Sequence, residues 1–296
     1  MKKTIFVLIA GVMLMLSNCG KKSVDWSELK NNISASIEKH EGLVAISFED
    51  LETGSTFFLN EKIQMHAAST MKTPVMIEVF KQAELGKFEL TDSLMIKNEF
   101  RSIVDSSSYS MDFGEDSDDV VYQHIGGKMS IHDLIYQMIT VSSNFATNLL
   151  ADLVETKNIM ATMHEIGANN IQVFRGVEDI KAYELGLNNT TNAYDMMLVM
   201  KAIALKQVVS PSACEKMIEI LLDQKFNTKI PALLPKEIKV AHKTGSITQI
   251  NHDAAIVYLK PDRAYVLVVL TKGFAEQKEA EQLIAQISKM IYNAIL

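Results

Sequence analysis

The chain has 296 residues, 48% of them hydrophobic, enough to bury a sizeable core in one large or two ordinary domains and to exclude disorder as its main state. Thirty-six acidic against 29 basic side chains give a formal net charge of −7. That balance lacks the electrostatic footprint of a nucleic-acid binder and points to small molecules or a cell-wall polymer as partners. Two cysteines without C-x-x-C or H-x-x-x-H spacing exclude a disulfide scaffold and carry no zinc signature, so the expected chemistry uses no metal or cofactor.

Lys2 and Lys3 precede an apolar run over 5–16, the length of a signal-peptide core and too short for a comfortable membrane span. The run ends in Leu16-Ser17-Asn18-Cys19, which resembles a bacterial lipobox. The resemblance implies removal of residues 1–18, a lipid on Cys19 as membrane anchor, and an exported protein of the periplasm or cell envelope. Cys214 would then be the remaining thiol, and its helical context reads as structural filler.

Trp26, Leu29, Ile33 and Ile37 recur at helical spacing, and 43–48 and 56–59 read as strands on either side of the turn at Thr53-Gly54-Ser55. Helical periodicity then dominates, over 70–84, 131–140, 144–155, 157–166, 192–205 and 211–223. β-rich runs return at 238–243, 253–259 and 264–271, and 275–294 closes the chain as an amphipathic helix. This order predicts an α/β (α+β) fold. Strands from both chain ends, in 25–62 and 225–296, pair in one antiparallel sheet flanked by helices, and 63–224 is inserted as an all-helical subdomain. Residues 19–296 would form the catalytic domain, as a monomer.

Three short motifs carry chemistry. In Ser69-Thr70-Met71-Lys72 a three-residue separation puts hydroxyl and amine on one helix face, and Pro74 fits a first helical turn, whose N–H groups have no partner to lose. The helix dipole, nearby cations and burial would lower the lysine pKa and leave neutral amine as a base, while the serine N–H could donate to an oxyanion. Alone, the pair also fits an ordinary surface couple. Ser142-Ser143-Asn144 lies between two helical runs, where Ser142 could relay a proton and Asn144 hold a substrate amide, although helix capping explains the same residues. Lys243-Thr244-Gly245-Ser246 ends a strand, with a fixed cation, a hydroxyl for a substrate carboxylate, a glycine that permits close approach, and in Ser246 a second oxyanion donor.

The three motifs in this order resemble the serine β-lactamase and penicillin-binding-protein superfamily, and class A β-lactamases most closely, over roughly residues 28–294. The resemblance implies the two-part layout above and a serine hydrolase, with Ser69 acylated by a β-lactam or a peptidoglycan-like acyl-D-Ala-D-Ala amide before hydrolysis. It also implies a loop glutamate to activate the deacylating water. Glu184 matches the family's E-x-x-L-N string, whereas Glu178 matches the interval of 36 positions after Ser142. Spacing favours Glu178; with neither in reach, the protein would acylate and stall. The middle residue of the second motif, usually Asp, is Ser143 here. No arginine occurs in 247–259, and Lys229, 14 positions before Lys243, stands where certain class A members carry a basic residue for the substrate carboxylate.

The acidic run Gly114 to Asp119 lacks alternating ligands and a closing Glu for Ca²⁺ and reads as a solvated loop. His242, beside Lys243, would either tune the pH response or pack at the strand end.

Overall fold

The structure, a computed structural model, describes residues 24–296; the expected leader and the expected lipidation of Cys19 lie outside the described residues. Asp25 caps helix α1 (Trp26–Ile37) by accepting from Ser27 and Glu28 N–H, and the hairpin β1 (Leu43–Asp50) and β2 (Thr56–Leu59) follows. The central part contains β3 (Met65–His66), α2 (Lys72–Glu84), β4 (Ser93–Met95), β5 (Phe100–Arg101), β6 (Ser108–Tyr109), β7 (Lys128–Ser130), α3 (Ile131–Thr140) and α4 (Asn144–Val154). It continues through α5 (Thr156–Ile166), α6 (Ile180–Glu184), β8 (Thr190–Thr191), α7 (Ala193–Ala204) and α8 (Pro211–Leu222). β9 (Lys239–Ile247), β10 (Ile250–Lys260), β11 (Arg263–Lys272) and α9 (Gln277–Ile295) complete the chain.

Five strands form one antiparallel sheet in the order β2-β1-β11-β10-β9, so the two chain ends pair as expected, with Ile46 opposite Val269. Helices cover both faces, which explains the unbroken apolar runs: alternate side chains of one strand enter two different cores. Val266, Val268 and Leu270 pack with the central helices, while Tyr265, Leu267 and Val269 pack with α1 and α9. Each such fully buried aliphatic side chain contributes about 1.5–3 kcal/mol. Because one sheet face and the central helices share a core, the inserted part has no separate core of its own.

Three differences from the sequence expectation bear on the site. The central part is helical but also carries the short ladders β3–β8, β4–β7 and β5–β6, whose two- or three-residue strands are too short for periodicity to register. A 3₁₀ turn, Ala68–Met71, precedes α2, which starts at Lys72. Finally, Lys243 to Ser246 lie inside β9, since pairing with β10 persists to Ile247 opposite Ile250.

Candidate active site

Ser69 sits in the 3₁₀ turn between β3 and α2, and that turn is held from several sides. Ala68 occupies the left-handed region at φ 45°, uncommon for a non-glycine residue. His66 Nδ1 accepts the Ala68 N–H at 3.0 Å, and Thr70 donates from both N–H and hydroxyl to Ala67 O, at 3.1 and 2.6 Å. His252, on β10, reaches His66 O with Nε2 at 2.9 Å. The half-buried Ser69 thereby faces a cleft of about 380 Å³ shared with Ser142, Asn144, Thr244 and Ser246.

Lys72 is fully buried, and its Nζ donates to Ser142 O at 2.5 Å, Asn144 Oδ1 at 2.8 Å and Ser142 Oγ at 3.2 Å. Its three donors thus engage the second motif, 70 residues away in sequence. Lys243 Nζ donates to the same Ser142 Oγ at 3.1 Å and to Thr244 O at 2.8 Å. A hydroxyl oxygen receiving N–H donors from two lysines keeps its own O–H as a donor, so Ser142 can present a proton to a bound group. Ser142 adopts φ 62°, the bend that lets α3 hand over to α4. Ser143 Oγ caps α4 by accepting from Ala146 N–H at 3.1 Å, so the capping expected of this turn and its placement at the cleft coexist.

Gly245 lies where β9 meets the serine turn. A Cβ there would stand 3.1 Å from Ala68 Cβ, Ser69 N and Thr70 N, so a side chain at 245 would have to push the strand and the turn apart by a few tenths of an ångström. Beneath it Lys229 is 2% exposed, which removes the option of an ordinary surface lysine. Lys229 Nζ donates to Ser246 Oγ at 2.7 Å, Gly245 O at 3.2 Å and His252 O at 3.3 Å. His242, the β9 residue before Lys243, is buried against Asp253, Nδ1 to Oδ1 2.9 Å, with Nε2 3.2 Å from Asn227 Oδ1.

The two glutamates separate. Glu178 is half-buried at φ 63°; its Oε1 accepts from Asn144 Nδ2 at 3.2 Å, which also fixes the orientation of that amide. Glu184 ends α6 and is solvent-exposed, with no contact to this cluster among the described residues. Arg175, Asn189 and Asp179 hold the segment between them: Asn189 Oδ1 accepts from Phe174 and Arg175 N–H, and Asp179 accepts from Ser102 Oγ and Ile103 N–H.

Charge is concentrated where water is scarce. Burial lowers Lys72 from the usual amine range to about 7, against the opposing pull of Asp116, Glu178 and Asp118. Lys243, expected as a fixed cation, is held well below that range by burial first, then by the ammonium groups of Lys72 and Lys229. Lys229 is lowered by burial while Asp253 and Glu281 pull it back, and desolvation raises Glu178 above the ordinary carboxylate range. Among the described residues no group of three His, Cys, Asp or Glu is disposed to hold a metal ion. Cys214 is buried with its thiol on Val208 O, remote from the cleft lining.

Some participants escape sequence reasoning. The acidic loop is only partly solvated: Asp118 is buried and caps Val120 and Val121, and Asp116 binds the first turn of α4. Their spacing from the second motif, set by a loop, offers no periodic signal. Gln277 and Glu281 of α9 also line the cleft, an adjacency created only by the pairing of the two chain ends.

Residues 28–295 match the model of the beta-lactamase enzyme family. A beta-lactamase of Bacteroides uniformis is 21% identical over 306 residues, covering 99% of this chain and 97% of that protein. The structure of a beta-lactamase from Sphaerobacter thermophilus DSM 20745 superposes with a TM-score of 0.78 at 24% identity, covering 92% of this chain and 98% of that one. PBP-A gives 0.77 at 24% identity, over 90% of this chain and 96% of its own. The chain therefore belongs to the beta-lactamase enzyme family, the kind of family that its three motifs resemble.

Proposed function

We propose that the protein hydrolyses the β-lactam amide through an acyl-enzyme on Ser69. The observation that carries this reading is the convergence of Lys72 and Lys243 on one hydroxyl, Ser142 Oγ, beside Ser69 in one cleft. With Lys72 near 7, about half of it is neutral at neutral pH and can take the Ser69 proton as Oγ attacks the lactam carbonyl carbon. The Ser69 and Ser246 N–H groups would carry the developing oxyanion. As the C–N bond breaks, Ser142 donates its proton to the departing nitrogen and is reprotonated from the lysine pair. Glu178 then takes a proton from water, the hydroxide attacks the ester, and the proton returns to Ser69 Oγ. Asn144 would orient the substrate's side-chain amide. Lys229, Lys243 and Thr244 would receive its carboxylate, and negative charge arriving there favours the protonated form of Lys243.

The other proposals concern the cell. The leader 1–18, lipidation of Cys19 and residence in the periplasm or cell envelope follow from the N-terminal sequence. Among the described residues no helix is long and apolar enough to cross a membrane. We propose a monomer, with 19–296 as the catalytic domain.

Nitrocefin turnover combined with intact-protein mass spectrometry tests the reaction. Rapid hydrolysis, with loss of both hydrolysis and adduct in Ser69→Ala, is the expected result. A persistent acyl adduct on Ser69 would mark a penicillin-binding protein that does not turn over. An adduct that survives Ser69→Ala would remove the nucleophile assignment.

A further inference from the structure

Asp116 belongs to neither the three motifs nor the two glutamates, yet its carboxylate is anchored directly on the second motif. Oδ1 accepts from Asn144 N–H at 3.0 Å and Oδ2 from Phe145 N–H at 2.9 Å, while Tyr122 OH reaches Oδ2 at 3.3 Å. These are the first two N–H groups of α4, which otherwise lack an intrahelical acceptor. Ser143 takes the next accessible one, at Ala146. The helix N-terminus is therefore shared between a serine inside the motif and a carboxylate 28 residues before it.

We propose that Asp116 is a positioning residue of this active site: it clamps the start of α4, holding Ser142 and Asn144 against Lys72, and supplies the negative charge that a serine at position 143 does not. The proposal rests on Lys72 being the acylation base. The groups facing Lys72 are Asp116 and Asp118 from the 112–119 loop, Glu178 from the segment before α6, and Lys243 from β9. Asp118 is turned to the N–H groups of Val120 and Val121, and Glu178 is the base proposed for deacylation. Asp116 is thus the carboxylate whose two backbone hydrogen bonds, from Asn144 and Phe145 N–H, hold the turn that receives the lysine, with Tyr122 OH as its third donor. Its charge also favours the Lys72 ammonium, opposing the larger effect of burial, and so bears on how much neutral amine is present near pH 7.

The sign follows directly. A carboxylate near an amine favours the ammonium form, so loss of its charge lowers the pH at which Lys72 becomes neutral. In Asp116→Asn, a near-isosteric change that keeps one acceptor for the α4 N–H groups, the acid limb of acylation should move down by about one pH unit. The experiment compares wild type, Asp116→Asn, Asp116→Glu and the double variant Asp116→Asn with Ser143→Asp. Three readings are taken from each: the pH profile of nitrocefin acylation, the midpoint of the Lys72 side-chain resonance in a ¹³C NMR titration of the intact protein, and the melting temperature.

The expected result is a lowered midpoint in both titrations for Asp116→Asn, with return toward wild type in the glutamate and Ser143→Asp variants. An unmoved midpoint in an active Asp116→Asn variant overturns the proposal, as does a loss of activity accompanied only by a lower melting temperature. The NMR midpoint needs no turnover. If wild type proves inactive, the β-lactamase reading fails while the effect of Asp116 on Lys72 is still decided.

Discussion

Replacing Gly245 by alanine tests how closely β9 must approach the serine turn. The new Cβ would lie 3.1 Å from three atoms at once, Ala68 Cβ, Ser69 N and Thr70 N. Ordinary carbon contacts begin near 3.5 Å, so each is short by about 0.4 Å. The turn cannot yield easily, because His66, Ala67 and Thr70 fix it by hydrogen bonds and Ala68 is already at φ 45°. β9, which among the described residues is an edge strand paired with β10, is the side that moves. Its retreat carries Thr244, Ser246 and Lys243 with it, separating the proposed oxyanion donors by a few tenths of an ångström. Misplacement on this scale costs about tenfold to a hundredfold in kcat/KM, and the overpacking about 1–3 kcal/mol of stability. Steady-state hydrolysis of nitrocefin and thermal unfolding read the two effects. A control is Gly86→Ala, whose Cβ would meet nothing; it strains only its own backbone at φ +73° and should leave turnover intact. If Gly245→Ala keeps wild-type kcat/KM and melting temperature, the close approach does not matter and the oxyanion geometry proposed here is wrong.

Two further predictions follow from the carboxylates and the buried amine. Glu178→Gln should convert turnover into an acyl-enzyme that accumulates on mass spectrometry, with deacylation slowed about a hundredfold or more, whereas Glu184→Gln, on an exposed helix end, should leave deacylation unchanged. Equal deacylation in wild type and both variants would eliminate a glutamate base. Lys72→Met should abolish acylation yet stabilise the fold at pH 7 by roughly 1–3 kcal/mol: lowering the amine to about 7 costs about 5 kcal/mol at full protonation, partly offset by hydrogen bonds to Ser142 and Asn144. Because the folded pKa is below the unfolded one, the unfolded chain binds more protons between about pH 7 and 10.5, and wild-type stability from this group rises with pH there. Melting curves at pH 7 and 9.5 should therefore show the advantage of methionine shrinking or reversing; an advantage independent of pH would exclude a charge-burial cost.

The departures from sequence expectation share one origin. Helix and strand periodicity located α3, α4, β1 and β11 to within about two residues because each buries a regular face. Because a 3₁₀ turn has the composition of a helical first turn, periodicity merges Thr70 and Met71 with α2, which begins at Lys72, and the ladders β3–β8 and β5–β6 are too short to repeat a pattern. Spacing favours Glu178 and the E-x-x-L-N string Glu184, but where each carboxylate lies relative to Asn144 depends on the path of a loop held by Arg175, Asp179 and Asn189.

By itself the sequence determined the three chemical motifs, the helices that follow two of them and the joining of the chain ends in one sheet, because local periodicity and residue type encode all of these. Only tertiary structure decided that Lys72 and Lys243 meet at Ser142, that Lys229 is buried against Ser246, and that Asp116 accepts from Asn144 N–H. Those contacts span up to 101 residues, and the shift of each amine depends on how much water the surrounding elements exclude, a quantity that no single segment contains.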